Sequence, residues 1–259
     1  MQKILFITIL IFALLVQANA AGIGSELYVT NWQNAGISVI QGTSAIRSWS
    51  SSGSSELAIA VNGTVKTYGY YHSGSVGAQY TLSGAYTGTQ YALNPTGYGF
   101  HDGTTDGTYN YAWGYHSYTL EKFDQNWNHI GTMFSLSGNR RLGVTYDPTD
   151  DTFWISSWGG GQVEHYTRSG SLLGTFGTAT YTGSLALDHT DNTLWLSVQA
   201  TSTFNQYTKT GTLLQSINVT GLTGSMYGAE FNFAVPEPGT FLLVFLAALA
   251  VMFSKVVKF

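Results

Sequence analysis

The chain has 259 residues, ten Lys or Arg against fourteen Asp or Glu, and 9% charged residues where ~25% is usual. Aromatic residues reach 15%, enough large side chains to fill a sizeable core, which excludes a charged, disordered chain. The shortage of basic residues excludes a phosphate-backbone footprint, so no nucleic acid partner is expected, and the absence of Cys removes disulfides, thiolate zinc sites and cysteine nucleophiles together.

In chain order, residues 1–20 come first. Lys3 precedes an all-round apolar run over 4–16, and Ala18-Asn19-Ala20 has the small-x-small arrangement that signal peptidase accepts. This predicts a secretory signal peptide and a mature chain beginning near Ala21. The body, 21–234, holds seven basic and thirteen acidic residues, a formal charge of −6. Period-two alternation, Thr, Tyr and Trp enrichment and Gly-containing turns run through it without a helical period, so it reads as all-β. At its start, 27–32, 37–40 and 45–49 read as three strands lacking an innermost partner.

An internal repeat sets the architecture. Asp147-Pro148-Thr149-Asp150-Asp151-Thr152 and Trp154 match Asp188-His189-Thr190-Asp191-Asn192-Thr193 and Trp195 at an offset of 41, and Tyr166, Gly170 and Leu172 match Tyr207, Gly211 and Leu213 at the same offset. Tyr166 also aligns with Phe123 and Tyr80 at intervals of 43. A period of this length with about four short strands is that of a β-propeller blade. The Asp-x-Thr-Asp-Asp/Asn-Thr segment with its following Trp resembles NHL-like and YVTN-type propeller repeats. Five blades are expected, with 226–233 returning to complete the blade begun at Glu26 and so removing an open sheet edge.

The chemistry is sparse. Asp147, Asp150, Asp151, Asp188 and Asp191 form oxygen-rich sets that a calcium loop would want, but they fall where the first strand of a blade turns into the second, and Asp favours turns by bonding its own backbone. Asp102 and Asp106 are assigned to the same turn of an earlier blade. The six His (72, 101, 116, 129, 165, 189) show no ligand pair, and no metal or cofactor is expected. Nucleophile elbows, His-Glu-x-x-His helices and phosphate loops are absent. A glycosidase or lyase on this scaffold would need carboxylates at the channel, where Glu56, Glu230 and Asp102 are the only candidates. The leading expectation is therefore a non-catalytic propeller with no catalytic residues, the alternative a carbohydrate-active enzyme. Repeat alignment places Trp32, His72, His116, Trp158 and Gln199 in or beside the loops at the channel mouth, a set of rings and polar groups suited to stacking on sugars.

The tail begins with Val235-Pro236-Glu237-Pro238, whose prolines end one segment and start another. An apolar run over 241–253 and Lys255 and Lys258 follow. Thirteen residues at ~1.5 Å each fall short of a ~30 Å hydrocarbon core, so a span needs 240–257 with Lys255 snorkelling, its basic end cytoplasmic. This arrangement resembles the PEP-CTERM sorting signal, a region also called the ice-binding protein C-terminal domain. The resemblance rests on Val235, Pro236, Glu237 and Pro238. It implies an exosortase partner in addition to signal peptidase, a Gram-negative source that makes extracellular polysaccharide, a membrane-anchored precursor, and a final place at the cell surface or in the extracellular matrix.

Overall fold

The computed structural model describes residues 22–233 except 34, 35, 139, 179 and 180. The expected signal peptide, sorting motif and membrane helix all fall outside these residues.

Alternating apolar and polar positions interrupted by Gly, Asn and Asp turns build four-stranded antiparallel sheets from consecutive hairpins. β1 (Ile23–Asn31), β2 (Gly36–Gly42) and β3 (Ser44–Ser50) open the chain. The second blade is β4 (Glu56–Val61), β5 (Thr64–Gly69), β6 (Val76–Thr81) and β7 (Tyr86–Ala92). The third is β8 (Phe100–Thr105), β9 (Asn110–Gly114), β10 (Thr119–Phe123) and β11 (His129–Ser135). The fourth is β12 (Arg141–Asp147), β13 (Thr152–Ser157), β14 (Gln162–Thr167) and β15 (Leu172–Gly177). The fifth is β16 (Thr182–Asp188), β17 (Thr193–Val198), β18 (Thr203–Tyr207) and β19 (Leu213–Asn218), and β20 (Met226–Phe231) closes the ring.

β20 is the innermost strand of the first sheet, whose order is β20-β1-β2-β3. It pairs antiparallel with β1, Leu27 opposite Phe231 and Val29 opposite Ala229. The five-bladed propeller closed by the C-terminal strand is therefore as the repeat predicted. One boundary differs: β1 starts at Ile23 rather than near Leu27, because an irregularity between those residues keeps Ile23 paired with Gly42 beyond the alternating stretch.

The innermost strands are buried on both faces along their length, since each is flanked by its own blade and by its neighbours in the ring. The core accordingly lies between blades. Tyr28, Ile37 and Val39 of the first pack against Ile59, Val65 and Tyr80 of the second, and Trp154 and Val163 of the fourth against Leu185 and Leu194 of the fifth. The last interface, Ile23, Leu27 and Val29 against Trp195 and Phe204, joins first blade to last.

Antiparallel order sorts the loops into two ends. The loops joining second to third strands and one blade to the next share one end, the mouth; the turns joining first to second and third to fourth strands share the opposite end. The chain leaves through that opposite end. Phe233 donates its N–H to Val61 O at 2.7 Å, and its ring meets Tyr146 and His189 at 6.1 and 5.2 Å.

Candidate functional site

The channel mouth is a continuous field of rings. Trp32 follows β1, Tyr70, Tyr71 and His72 follow β5, Tyr115 and His116 follow β9, Trp158 follows β13, and Tyr227 comes from β20. His101 on β8 lies at the centre, with ring centroids 4.6 Å from Tyr70, 5.1 Å from Tyr115, 5.1 Å from Tyr227 and 5.5 Å from Trp32. Trp158 joins through Tyr227 at 5.8 Å and Tyr115 at 6.1 Å, and His116 through Tyr71 at 5.0 Å. Gln199, first in the loop after β17, adds the fifth blade at this end, its backbone N–H donating to Tyr181 O at 3.1 Å. Trp32, His72, His116 and Trp158 thus fall within one field of rings, Gln199 stands in a loop at the same end, and the rings between them were missed. The available signal was the recurrence of Tyr or His beside the aligned positions, as in Tyr70-Tyr71-His72 and Tyr115-His116.

Burial divides this field into a floor and a rim. His101 is 5% exposed, and burial drives its imidazole down to about 3, so it is neutral at pH 7. Its Nδ1 has no hydrogen-bond partner. Trp32 stands on the rim at 42% exposure, over a cavity of about 270 Å³ lined by Asn31, Ser55, Glu56, Leu57, Tyr70 and His72. A larger cavity, about 480 Å³, lies on the outer edge between the second and third blades. Its two largest rings, Tyr91 and Trp127, are buried, so it presents no open aromatic plane.

Beneath the floor lies the axis. Asp102, assigned to a turn with Asp106, instead sits within β8, because only Asp106 falls past the strand end. Its carboxylate is wholly buried and accepts four backbone N–H groups: Gly103 (2.9 Å), Ala229 (2.9 Å), Leu185 (2.9 Å) and Val144 (3.2 Å). One side chain therefore ties the inner strands of four blades. Glu230, 1% exposed, has an unpartnered Oε2 and feels the Asp102 charge. Burial raises both carboxyls well above their ordinary range. With four N–H donors Asp102 is the better home for a charge, so Glu230 holds the proton. Glu56 does not join them. Its first-strand position turns it into its own blade, where Gly53 N–H, Thr67 Oγ1 at 2.5 Å and Tyr80 Oη at 2.9 Å donate to it.

At the opposite end the Asp-rich turns are as expected of turns. Asp147 accepts from Thr149 N–H and Trp154 Nε1, and Asp188 from Thr190 N–H. Asp147, Asp150 and His165 offer ligand atoms within 4.8 Å of one another. Lys209 Nζ already lies 2.5 Å from Asp147 Oδ2 and supplies the positive charge there. Asp106, the equivalent in the third blade, is paired with Arg168 at 3.0 Å.

Residues 234–256 match the PEP-CTERM protein-sorting motif. The chain carries a PEP-CTERM sorting signal. The motif implies export, a precursor anchored in the membrane through the signal, and processing by exosortase. The body resembles solved propellers in fold alone. A protein of unknown function from Bacteroides caccae is 14% identical, with a TM-score of 0.51 over 78% of this chain and 77% of that one. A chain of a nidogen/laminin complex is 10% identical, with a TM-score of 0.57 over 80% and 98%. Virginiamycin B lyase from Staphylococcus aureus is more distant, 15% identical with a TM-score of 0.45 over 65% and 57%. No curated protein is significantly similar in sequence.

Proposed function

We propose that this PEP-CTERM protein is a non-catalytic carbohydrate-binding propeller, sorted to the cell surface or extracellular matrix of a Gram-negative bacterium and displaying its mouth toward extracellular polysaccharide. In this reading residues 1–20 are the signal peptide removed by signal peptidase, 21–234 the propeller, and 235–259 the sorting region with its membrane helix over 240–257. The observation that carries it is polarity of position: the aromatic mouth occupies one end, and the chain departs toward the sorting motif from the other, so a tethered body holds its mouth outward. An exposed Trp32 beside His72 and an amide at Gln199 match what sugar rings require, an apolar face to stack on and polar groups at the edges. A glycosidase or lyase requires carboxylates open to a substrate. Glu56, Asp102 and Glu230 are each at most 2% exposed, which favours the binding reading.

The test is retention of the purified protein on polysaccharide from its own host. Trp32→Ala with Trp158→Ala should lower retention at least tenfold, the order expected for losing two stacking planes of about 1 kcal/mol each. Undiminished retention in a folded double variant excludes the mouth as the site.

A further inference from the structure

The two ends of the ring differ in charge far more than the sequence order suggests. Five loops join second to third strands and five join blade to blade, and together they form the mouth end. Among the described residues of all ten there is no Asp or Glu, and the single charged residue is Arg140. The opposite turns hold Asp106, Asp124, Asp150, Asp151 and Asp191, with Asp147 and Asp188 at the adjoining strand ends. The remaining carboxylates are accounted for. Glu56, Asp102 and Glu230 are buried, Glu121 is held by Thr132 and His129, and Glu164 and Glu26 by Arg141 and Arg47.

Arg140 is exposed and has no carboxylate within ion-pair distance among the described residues. It is fixed in place by neighbours that are themselves the aromatic field. Its guanidinium carbon lies 4.9 Å from the Tyr115 ring centroid, Nη1 donates to Tyr115 Oη at 3.1 Å, and its carbonyl accepts the Trp158 N–H at 2.8 Å. A planar cation thus stands at Tyr115, whose ring centroid is 6.1 Å from that of Trp158, with donors left over. Although the body is acidic overall, charges beyond a Debye length of ~8 Å are screened, so an incoming ligand meets the local charge of the mouth. A guanidinium held against a ring and lacking a counter-ion is matched by a carboxylate, which it can bind with two parallel N–H donors.

We propose that the ligand of the mouth is an acidic polysaccharide whose sugar carboxylates are taken by Arg140 while its rings stack on Trp158 and Trp32. This rests on the carbohydrate-binding reading and specifies its ligand class. The single cation also sets an order: stacking carries binding to any sugar chain, and Arg140 selects the charged one.

The experiment is affinity electrophoresis of the full chain in gels containing polygalacturonate, its fully methyl-esterified form, or neutral dextran. Methyl esterification removes the charge while keeping the backbone. Retardation is expected on polygalacturonate, about tenfold weaker on the ester, and about tenfold weaker for Arg140→Ala, with Arg140→Lys intermediate. Added salt should lower the polygalacturonate response and leave the ester response unchanged. Equal retardation of wild type on acid and ester, or an unchanged Arg140→Ala variant, overturns the acidic-ligand inference while leaving carbohydrate binding standing. Retardation on none of the three polymers, or retardation indifferent to Trp32→Ala with Trp158→Ala, overturns both.

Discussion

His101 and Asp102 are adjacent in sequence yet face opposite problems, and His101 and Glu230 each give a measurable pH signature. The His101 imidazole titrates at about 3 in the folded chain against ~6.5 when exposed. The unfolded state therefore binds its proton first, and stability is lost as pH falls from about 6.5 toward 3, at ~1.4 kcal/mol per unit. Because Nδ1 has no partner, a ring of similar size without nitrogens forfeits no bond there. His101→Phe should thus unfold at a higher temperature than wild type at pH 5 and differ little at pH 8, as scanning calorimetry at both values will reveal. For Glu230 the sign reverses. Its raised carboxyl keeps a proton that the unfolded chain releases, so stability falls as pH rises above the ordinary carboxylate range. Glu230→Gln should flatten that decline. Asp102→Asn should destabilise at every pH by roughly 3 kcal/mol or more, because an amide NH₂ would face backbone donors that now share a carboxylate. Denaturant titration of the two variants separates the roles: if Asp102→Asn is neutral, the carboxylate is not the hub of the ring.

At the scale of one hairpin, the repeat is a repeat of hydrogen bonds. In the outer turns Gly84, Gly170 and Gly211 each donate to the Thr three residues earlier, Thr81, Thr167 and Thr208, and Trp127 donates to Asp124 in the same way. The glycines have φ between +83° and +96°, and a Cβ on Gly211 would lie 2.5 Å from that of Phe176 in the preceding blade. Gly211→Ala should therefore cost roughly 1–2 kcal/mol from backbone strain alone, and more from the contact. The residue two before each of these positions reaches back to the previous blade. Lys209 pairs with Asp147, Arg168 with Asp106, and Gln125 accepts from Lys66 Nζ at 2.7 Å through its carbonyl. The Asp147 side chain is fully buried, so Lys209→Met strands a carboxylate, with an expected loss of about 3 kcal/mol. Asp147→Asn combined with Lys209→Met should recover most of it in a double-mutant cycle, and additivity of the two single losses rejects the clamp.

On the scale of the whole ring, the first and last segments of the body are joined in one sheet. Removing 226–233 takes away β20, two of the hydrogen bonds around Asp102 and Glu230 with it, and leaves β1 and two inner strands without a neighbour. Folding itself should be lost, not a tail trimmed; a truncated chain with an unaltered melting transition contradicts closure. The exit of Phe233 opposite the mouth links the ring to sorting. Replacing Pro236, Glu237 and Pro238 with Ala should leave a full-length, membrane-retained form in the native host, and an unchanged released fraction rejects their role in processing.

By itself the sequence determined the blades and the tail, because both are local. A turn needs its own Asp, Thr and Gly, a strand its own alternation, and a sorting motif its own prolines, so offsets of 41 and 43 were readable along the chain. It also placed Trp32, His72, His116, Trp158 and Gln199 at one end, since the repeat fixes which loops share it. What it could not decide was which side chains meet across the ring. Asp102 is 127 residues from Ala229 and 83 from Leu185, yet one carboxylate serves both. Glu56, another acid on an innermost strand, turns into its own blade instead. Only closure of the ring brings those N–H groups to a common axis, and the donors each buried acid finds there decide which carries charge and which holds a proton.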